Sequence, residues 1–365
     1  MRTAVVTLAL SLIVTGCLNS IFTKYQDNQY VAPDRKFEQP VLQTLQMFIG
    51  EAAAFLFVLA RKYNGNASSS SDDTQLPGSG KPQLPRAKSY LLAIPAFCDL
   101  LGTTLMNLGL MYSPVSIYQM TRGALIIFVA LFSITFLKRT ISRVEWFALL
   151  LVVTGITIVG LSGKSNAGAE GVTEAHPKVF LGILLILLAQ VFTATQFVVE
   201  EHIVNRWTVE PLSLVGYEGT FGGLLTFLGM LVGWITFAHG TKGPFDLVNS
   251  WNDFISNETI IWSSFAIMCS IGLFNFIGIT LTSVLSATAR STIDTCRTLL
   301  VWIISLWLGW ESFVFLQLVG FCFLVFGTLL FNGAINIDKY LPSWLTADKS
   351  TVRIIDVVDE QIERQ

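Results

Sequence analysis

The chain has 365 residues, of which 52% are hydrophobic and only 13% charged, with a formal net charge of −2. Soluble globular chains carry roughly 25% charged residues, so a soluble enzyme or binding domain is excluded and a polytopic membrane protein remains. The balanced charge, without a basic tail or a zinc-ligand spacing, gives no attraction to nucleic acid. All three histidines (His176, His202, His239) fall outside the apolar runs, which argues against a buried metal site. No metal or cofactor is expected. The cysteines (Cys17, Cys98, Cys269, Cys296, Cys322) are scattered through apolar segments and read as small buried hydrophobes.

The first segment, MRTAVVTLALSLIVTGC, ends in a box resembling a lipoprotein cleavage site with Cys17 as anchor. Continued through LNSIFT it is instead a first span, and the repeat described below needs that span. Apolar runs of about 20 residues, the length that crosses a bilayer, recur at 3–23, 40–60, 89–111, 115–137, 145–162, 179–200, 211–237, 260–284, 288–309 and 313–333. The expected fold is therefore all-α, with ten transmembrane helices. Residues 1–162 make the first five-helix unit, with a Ser/Gly/Pro-rich loop expected to be disordered over 63–87. An inter-repeat loop follows at 163–178, then the second unit at 179–335 and a tail at 336–365.

Basic residues crowd the side that holds both termini: Arg61, Lys62, Lys138, Arg139, Arg143, Arg206 and Arg290 among them. The opposite side has Lys24, Arg35, Lys36, Lys164, Lys178 and Lys242. The positive-inside rule then places both termini in the cytosol. Arg122 and Arg297 are left over, inside spans. Glu200 and Glu201 fall at the cytosolic end of span six and are expected to be interfacial.

Spans three and eight share a pattern. Asp99-Leu-Leu-Gly102-Thr-Thr104-Leu105 matches Asn275-Phe-Ile-Gly278-Ile-Thr280-Leu281, 176 residues apart. In spans four and nine, Gln119-Met-Thr-Arg122 matches Asp294-Thr-Cys-Arg297, 175 residues apart. Spans two and seven each hold one glutamate, Glu51 in FIGEAA and Glu218 in GYEGTF. A repeat of five spans is necessarily inverted in the membrane, the architecture of alternating-access carriers with a site near the midplane.

Intramembrane charges usually line a solute path, although a pair that only locks packing is the plainer reading. Cavity candidates are Gln119, Arg122, Asp294, Arg297, Asp99 and Asn275. Asp294 stands three residues before Arg297, at helical spacing; Arg122 has only Gln119 there and is expected to meet a ligand or Asp99. Glu51, Glu218 and Asp99 are candidates for proton coupling. Four acids against two bases in the spans favour a cationic or zwitterionic solute over a dianionic one. Gly229 and Gly233 form a GxxxG pattern, which makes a homodimer a possible partner arrangement beside the lipid bilayer.

Several stretches carry a family resemblance: QMTRGALIIF and FSITFL in span four, LSATAR and DTCRTLLVWIISL in span nine, then LGWESF, FGTLLFNG, IVTGCLNSIFTKY and FCDLLGTTLMNLGL. In order and spacing they resemble the drug/metabolite transporter superfamily and, within it, the solute carrier 35 family, subfamily F, sixth-member type. The resemblance covers about residues 5–335. It implies two inverted five-helix repeats, alternating access, and gates at the short linkers of spans three–four and eight–nine. It implies transport of a small solute, no catalysis, and an internal membrane of vacuolar or lysosomal type, with the Golgi next. The lysine-rich signatures of nucleotide-sugar carriers are missing. An adaptor working through protein partners and a Golgi nucleotide-sugar antiporter are the alternatives.

Overall fold

The computed structural model describes residues 2–32, 35–37, 39–63, 91–112, 118, 121–138, 141–167, 176–207, 209–237, 247–255, 257–309 and 313–331. Gln119, most of the Ser-rich loop and the tail beyond residue 331 lie outside the described residues.

The protein is an all-α membrane protein. Its helices are α1 (Arg2–Asp27), α2 (Pro40–Ala52), α3 (Ala54–Tyr63), α4 (Ala93–Tyr112), α5 (Leu125–Leu137), α6 (Arg143–Ala167) and α7 (His176–Arg206). They continue with α8 (Pro211–Phe237), α9 (Leu247–Ile255), α10 (Glu258–Val284), α11 (Ala287–Thr295), α12 (Arg297–Trp307) and α13 (Phe315–Phe331). One small departure from an all-helical chain is a hairpin of β1 (Tyr30–Ala32) and β2 (Arg35–Lys36), pairing Tyr30 with Lys36.

Among the described residues, five segments are long and apolar enough to cross a membrane: Thr3–Asp27, Pro40–Val58, Phe180–Arg206, Pro211–Thr236 and Glu258–Val284. Leu125–Leu137 and Phe315–Phe331 are shorter apolar helices. α1 runs unbroken through Cys17, which is buried.

Local chemistry sets several ends. α6 opens with a capping box: the Ser142 N–H donates to Glu145 Oε2 at 2.7 Å, and the Glu145 N–H donates to Ser142 Oγ at 3.3 Å. α10 is capped by Asn257, whose side chain accepts from the Thr259 N–H. The same asparagine heads the sequon Asn257-Glu-Thr259. α11 begins after Ser286, whose hydroxyl accepts from the Ala289 N–H at 3.1 Å. Lys138 closes α5 in the left-handed region, with φ 55°.

α6 packs along α13, α4 along α7, α1 along α10, and α2 along α8. Backbones approach closely at α6–α13: a Cβ on Gly155 would meet Gly320 O at 2.5 Å, and one on Gly327 would meet Ala148 O at 2.9 Å. Small residues at such crossings give van der Waals contact where lipid supplies no hydrophobic drive. Trp302 and Phe321 fill the apolar core beside this pair.

Two expectations need correction. Cys269 and Cys322 are exposed, because they sit on helix faces turned away from neighbouring helices, and Cys296 is only partly buried. Glu200 and Glu201, expected to face the interface, are instead both buried within the protein. The helix that carries them continues to Arg206, and Ile203 and Val204 resume the core after them.

Candidate functional site

The charged side chains gather in two groups. The first joins the two halves of the chain. Arg297, at the start of α12, donates from Nη2 to Asp294 Oδ2 at 3.1 Å. It also donates from Nη1 to the Gly16 carbonyl at 3.5 Å and lies 5.1 Å over the Phe274 ring. Gly16 makes room for it, since a Cβ there would meet the Arg297 side chain at 2.7 Å. Arg122, in the turn before α5, approaches the same Asp294 oxygen at 3.9 Å. The expectation that Arg122 meets Asp99 is thus corrected: its acid is Asp294, the residue matched to Gln119 in the repeat. α11 turns Asp294 toward both arginines, and the helix breaks at Cys296 between Asp294 and Arg297.

The second group draws on six helices. Glu51 on α2 accepts from Asn275 Nδ2 on α10 at 2.6 Å. Asp99 on α4 accepts from Thr103 at 3.2 Å. Glu218 on α8 stands beside them. Glu200 on α7 forms an ion pair with Arg290 on α11. Glu51 lies within electrostatic reach of Asp99, Glu200 and Arg290, and Glu218 within reach of Glu51, Asp99, Glu200 and Arg290. Arg290 also acts on Asp294, which links the two groups.

Burial here is nearly complete: Arg290 is 1% exposed, Glu200 0%, Glu218 1% and Glu51 2%. Among the described residues, Glu51 Oε2, Glu200 Oε1, Glu218 Oε1, Asp294 Oδ1 and Arg290 Nε have no hydrogen-bond partner. Burying a polar atom unpaired costs about 1–3 kcal/mol, and more for a charged group. A fold that keeps five such atoms close together holds groups suited to bind a proton or a polar solute.

Arg290, Glu200 and Glu201 are the residues that sequence reasoning missed. Arg290 belongs to LSATAR and is grouped by sequence with the basic residues on the side of the termini; every residue of α11 is in fact buried. The guanidinium lies 4.0 Å over the Phe197 ring. Gly278 admits it, for a Cβ there would meet Arg290 Nε at 2.6 Å. That glycine belongs to the repeated D/N-x-x-G pattern, which was the available signal.

Comparison with known proteins decides the family. The sequence profile of the nucleotide-sugar transporter family matches residues 6–207. The human protein named solute carrier family 35 member F6 is 35% identical over 337 residues, covering 89% of this chain and 88% of its own. The chain belongs to the nucleotide-sugar transporter family, in its solute carrier 35 branch. A Schizosaccharomyces pombe relative, C12G12.12, is 38% identical over 332 residues, 90% of this chain and 98% of its own. A solved crystal structure shares the fold with a TM-score of 0.59 at 12% identity, covering 90% of this chain and 96% of that one. Solute carrier 35 membership makes the chain a membrane transporter and not an enzyme.

Proposed function

We propose that this transporter moves a small polar metabolite, cationic or zwitterionic, across an endomembrane by alternating access between two inverted five-helix repeats. The observation that carries the reading is the convergence of Arg122 and Arg297, matched positions of the two halves, on one oxygen of Asp294 at 3.9 and 3.1 Å. A paired charge where the halves meet is where an alternating-access carrier holds its solute.

The helix packing supports the repeat. Take α2–α3 as span two and α11–α12 as span nine; exchanging each span with the one five places on then preserves the most extensive contacts. α1 against α10 becomes α7 against α4, α2 against α10 becomes α8 against α4, and α1 against α12 becomes α7 against α5. α2–α8 and α6–α13 map onto themselves. The repeats would span residues 1–162 and 179–335, with both termini cytosolic and a vacuolar or lysosomal membrane favoured.

The acid excess supports the solute class. With the buried residues included, Glu51, Asp99, Glu200, Glu218 and Asp294 face Arg122, Arg290 and Arg297, a surplus that a dianion would meet with repulsion. Glu51, Asp99 and Glu218 are the proton-coupling candidates, because the group has more acids than cations to balance them. The family profile favours a second reading, nucleotide-sugar antiport.

Purified protein in liposomes loaded with a cytosolic metabolite extract tests this, with release read by mass spectrometry. Wild type should release cations and zwitterions that protein-free liposomes retain. An Arg122→Ala/Arg297→Ala variant should retain them. Release of nucleotide sugars instead would transfer the chain to the second reading; release equal to protein-free liposomes would contradict transport.

A further inference from the structure

We propose that Glu200 and Arg290 form a clamp that docks the start of α11 against α7 and parts in each transport cycle, making them positioning residues for the solute site. The inference rests on the transporter reading above. It starts from what α11 is: Ala-Thr-Ala-Arg-Ser-Thr-Ile-Asp-Thr, nine residues, all buried and mostly polar.

A helix of that composition docks through hydrogen bonds more than through apolar contact. Ser133 on α5 pairs with Thr288 at 3.2 Å. The Ala287 N–H donates to Glu201 Oε2 at 2.9 Å. Thr328 on α13 reaches the Thr292 carbonyl at 3.4 Å. The Arg290–Glu200 ion pair completes the set. A polar joint of this kind can separate into water at small net cost, because water replaces each bond. An apolar joint cannot.

α11 also has a pivot at each end. Leu285 and Ser286 separate it from α10, and the break at Cys296 separates it from α12. Asp294 rides on the same helix, so movement of α11 carries the acid that both Arg122 and Arg297 address. The guanidinium is not stranded when the clamp parts. Glu51, Asp99, Glu218 and Asp294 all lie within its electrostatic reach. Its Nε and Glu200 Oε1 already lack partners in the docked state. A pair that only braced the fold would be expected to close those bonds.

The test reads α11 directly and needs no known solute. Ser291→Cys places a thiol beside Arg290; Ser291 is fully buried and its hydroxyl donates to the Thr288 carbonyl of its own helix. The full chain in liposomes is treated with N-ethylmaleimide, and labelling is resolved by peptide mass spectrometry, with buried Cys17 on α1 as the internal control. Added to the reporter, Glu200→Gln or Arg290→Gln should speed labelling at position 291 by about tenfold or more, since leaving one partner of a buried pair alone favours opening. Arg290→Lys and the exchange Glu200→Arg/Arg290→Glu should stay within about twofold of the reporter, since a charge pair remains. Supplying the metabolite extract to the reporter alone should also speed labelling, because turnover parts the clamp. Labelling that the extract leaves unchanged, or a rise shared by Cys17, overturns the proposal. The transport reading fails separately, if wild-type liposomes release nothing.

Discussion

Arg122 and Arg297 occupy matching places in the two halves, yet they are held very differently. Arg297 is buried, hydrogen-bonded to Asp294, within reach of the Gly16 carbonyl and laid over Phe274. Arg122 keeps 22% of its side chain exposed and stands 3.9 Å from the same acid. In the proposed repeat the two matched positions differ as an anchor and a looser partner. Arg297 holds Asp294 by a hydrogen bond, and under the proposed function the looser Arg122 guanidinium is the one a solute displaces.

The difference is sharpest in stability. Arg297→Ala leaves Asp294 buried without its hydrogen-bonded cation, Arg122 standing 3.9 Å away, and breaking a buried pair costs about 3–5 kcal/mol. It should lower the melting midpoint in detergent strongly, read by fluorescence-detected size exclusion. Gly278→Ala presses a methyl against the Arg290 guanidinium and should cost about 1–3 kcal/mol by overpacking, with the melt of Gly229→Ala, where a Cβ meets no described neighbour within 4 Å, as the control. Phe274→Leu removes the ring beneath Arg297 and should cost about 0.5–2 kcal/mol. Arg122→Ala should shift the melt least, by on the order of 1 kcal/mol or less, while abolishing solute release. An Arg122→Ala melt as low as that of Arg297→Ala would erase the distinction between anchor and partner.

The same contrast explains what the sequence discloses. Arg122 and Arg297 stand out because each interrupts a long apolar run, where a charge is conspicuous. Glu51 and Glu218 are visible for the same reason. Arg290 is hidden because its neighbours are Ser, Thr and Ala, a composition that reads as surface or linker; its burial comes from α5, α7 and α10 closing around α11, which no local pattern encodes. Glu200 and Glu201 are hidden because they stand where an apolar run ends, so that hydropathy assigns them to the interface. The pairing of Arg122 with Asp294 was equally out of reach, since it depends on how spans four and nine cross and not on spacing within either.

The most direct measurement is the metabolite content of the host organelle, isolated from cells lacking the protein and rescued in parallel by wild type and by Arg122→Ala/Arg297→Ala. Both proteins must first be shown to be folded and correctly localised. The account predicts that a set of cationic or zwitterionic metabolites returns to normal with wild type and stays altered with the double variant. Equal rescue by the two would contradict it, for then the arginines that meet at Asp294 are no part of what the protein does.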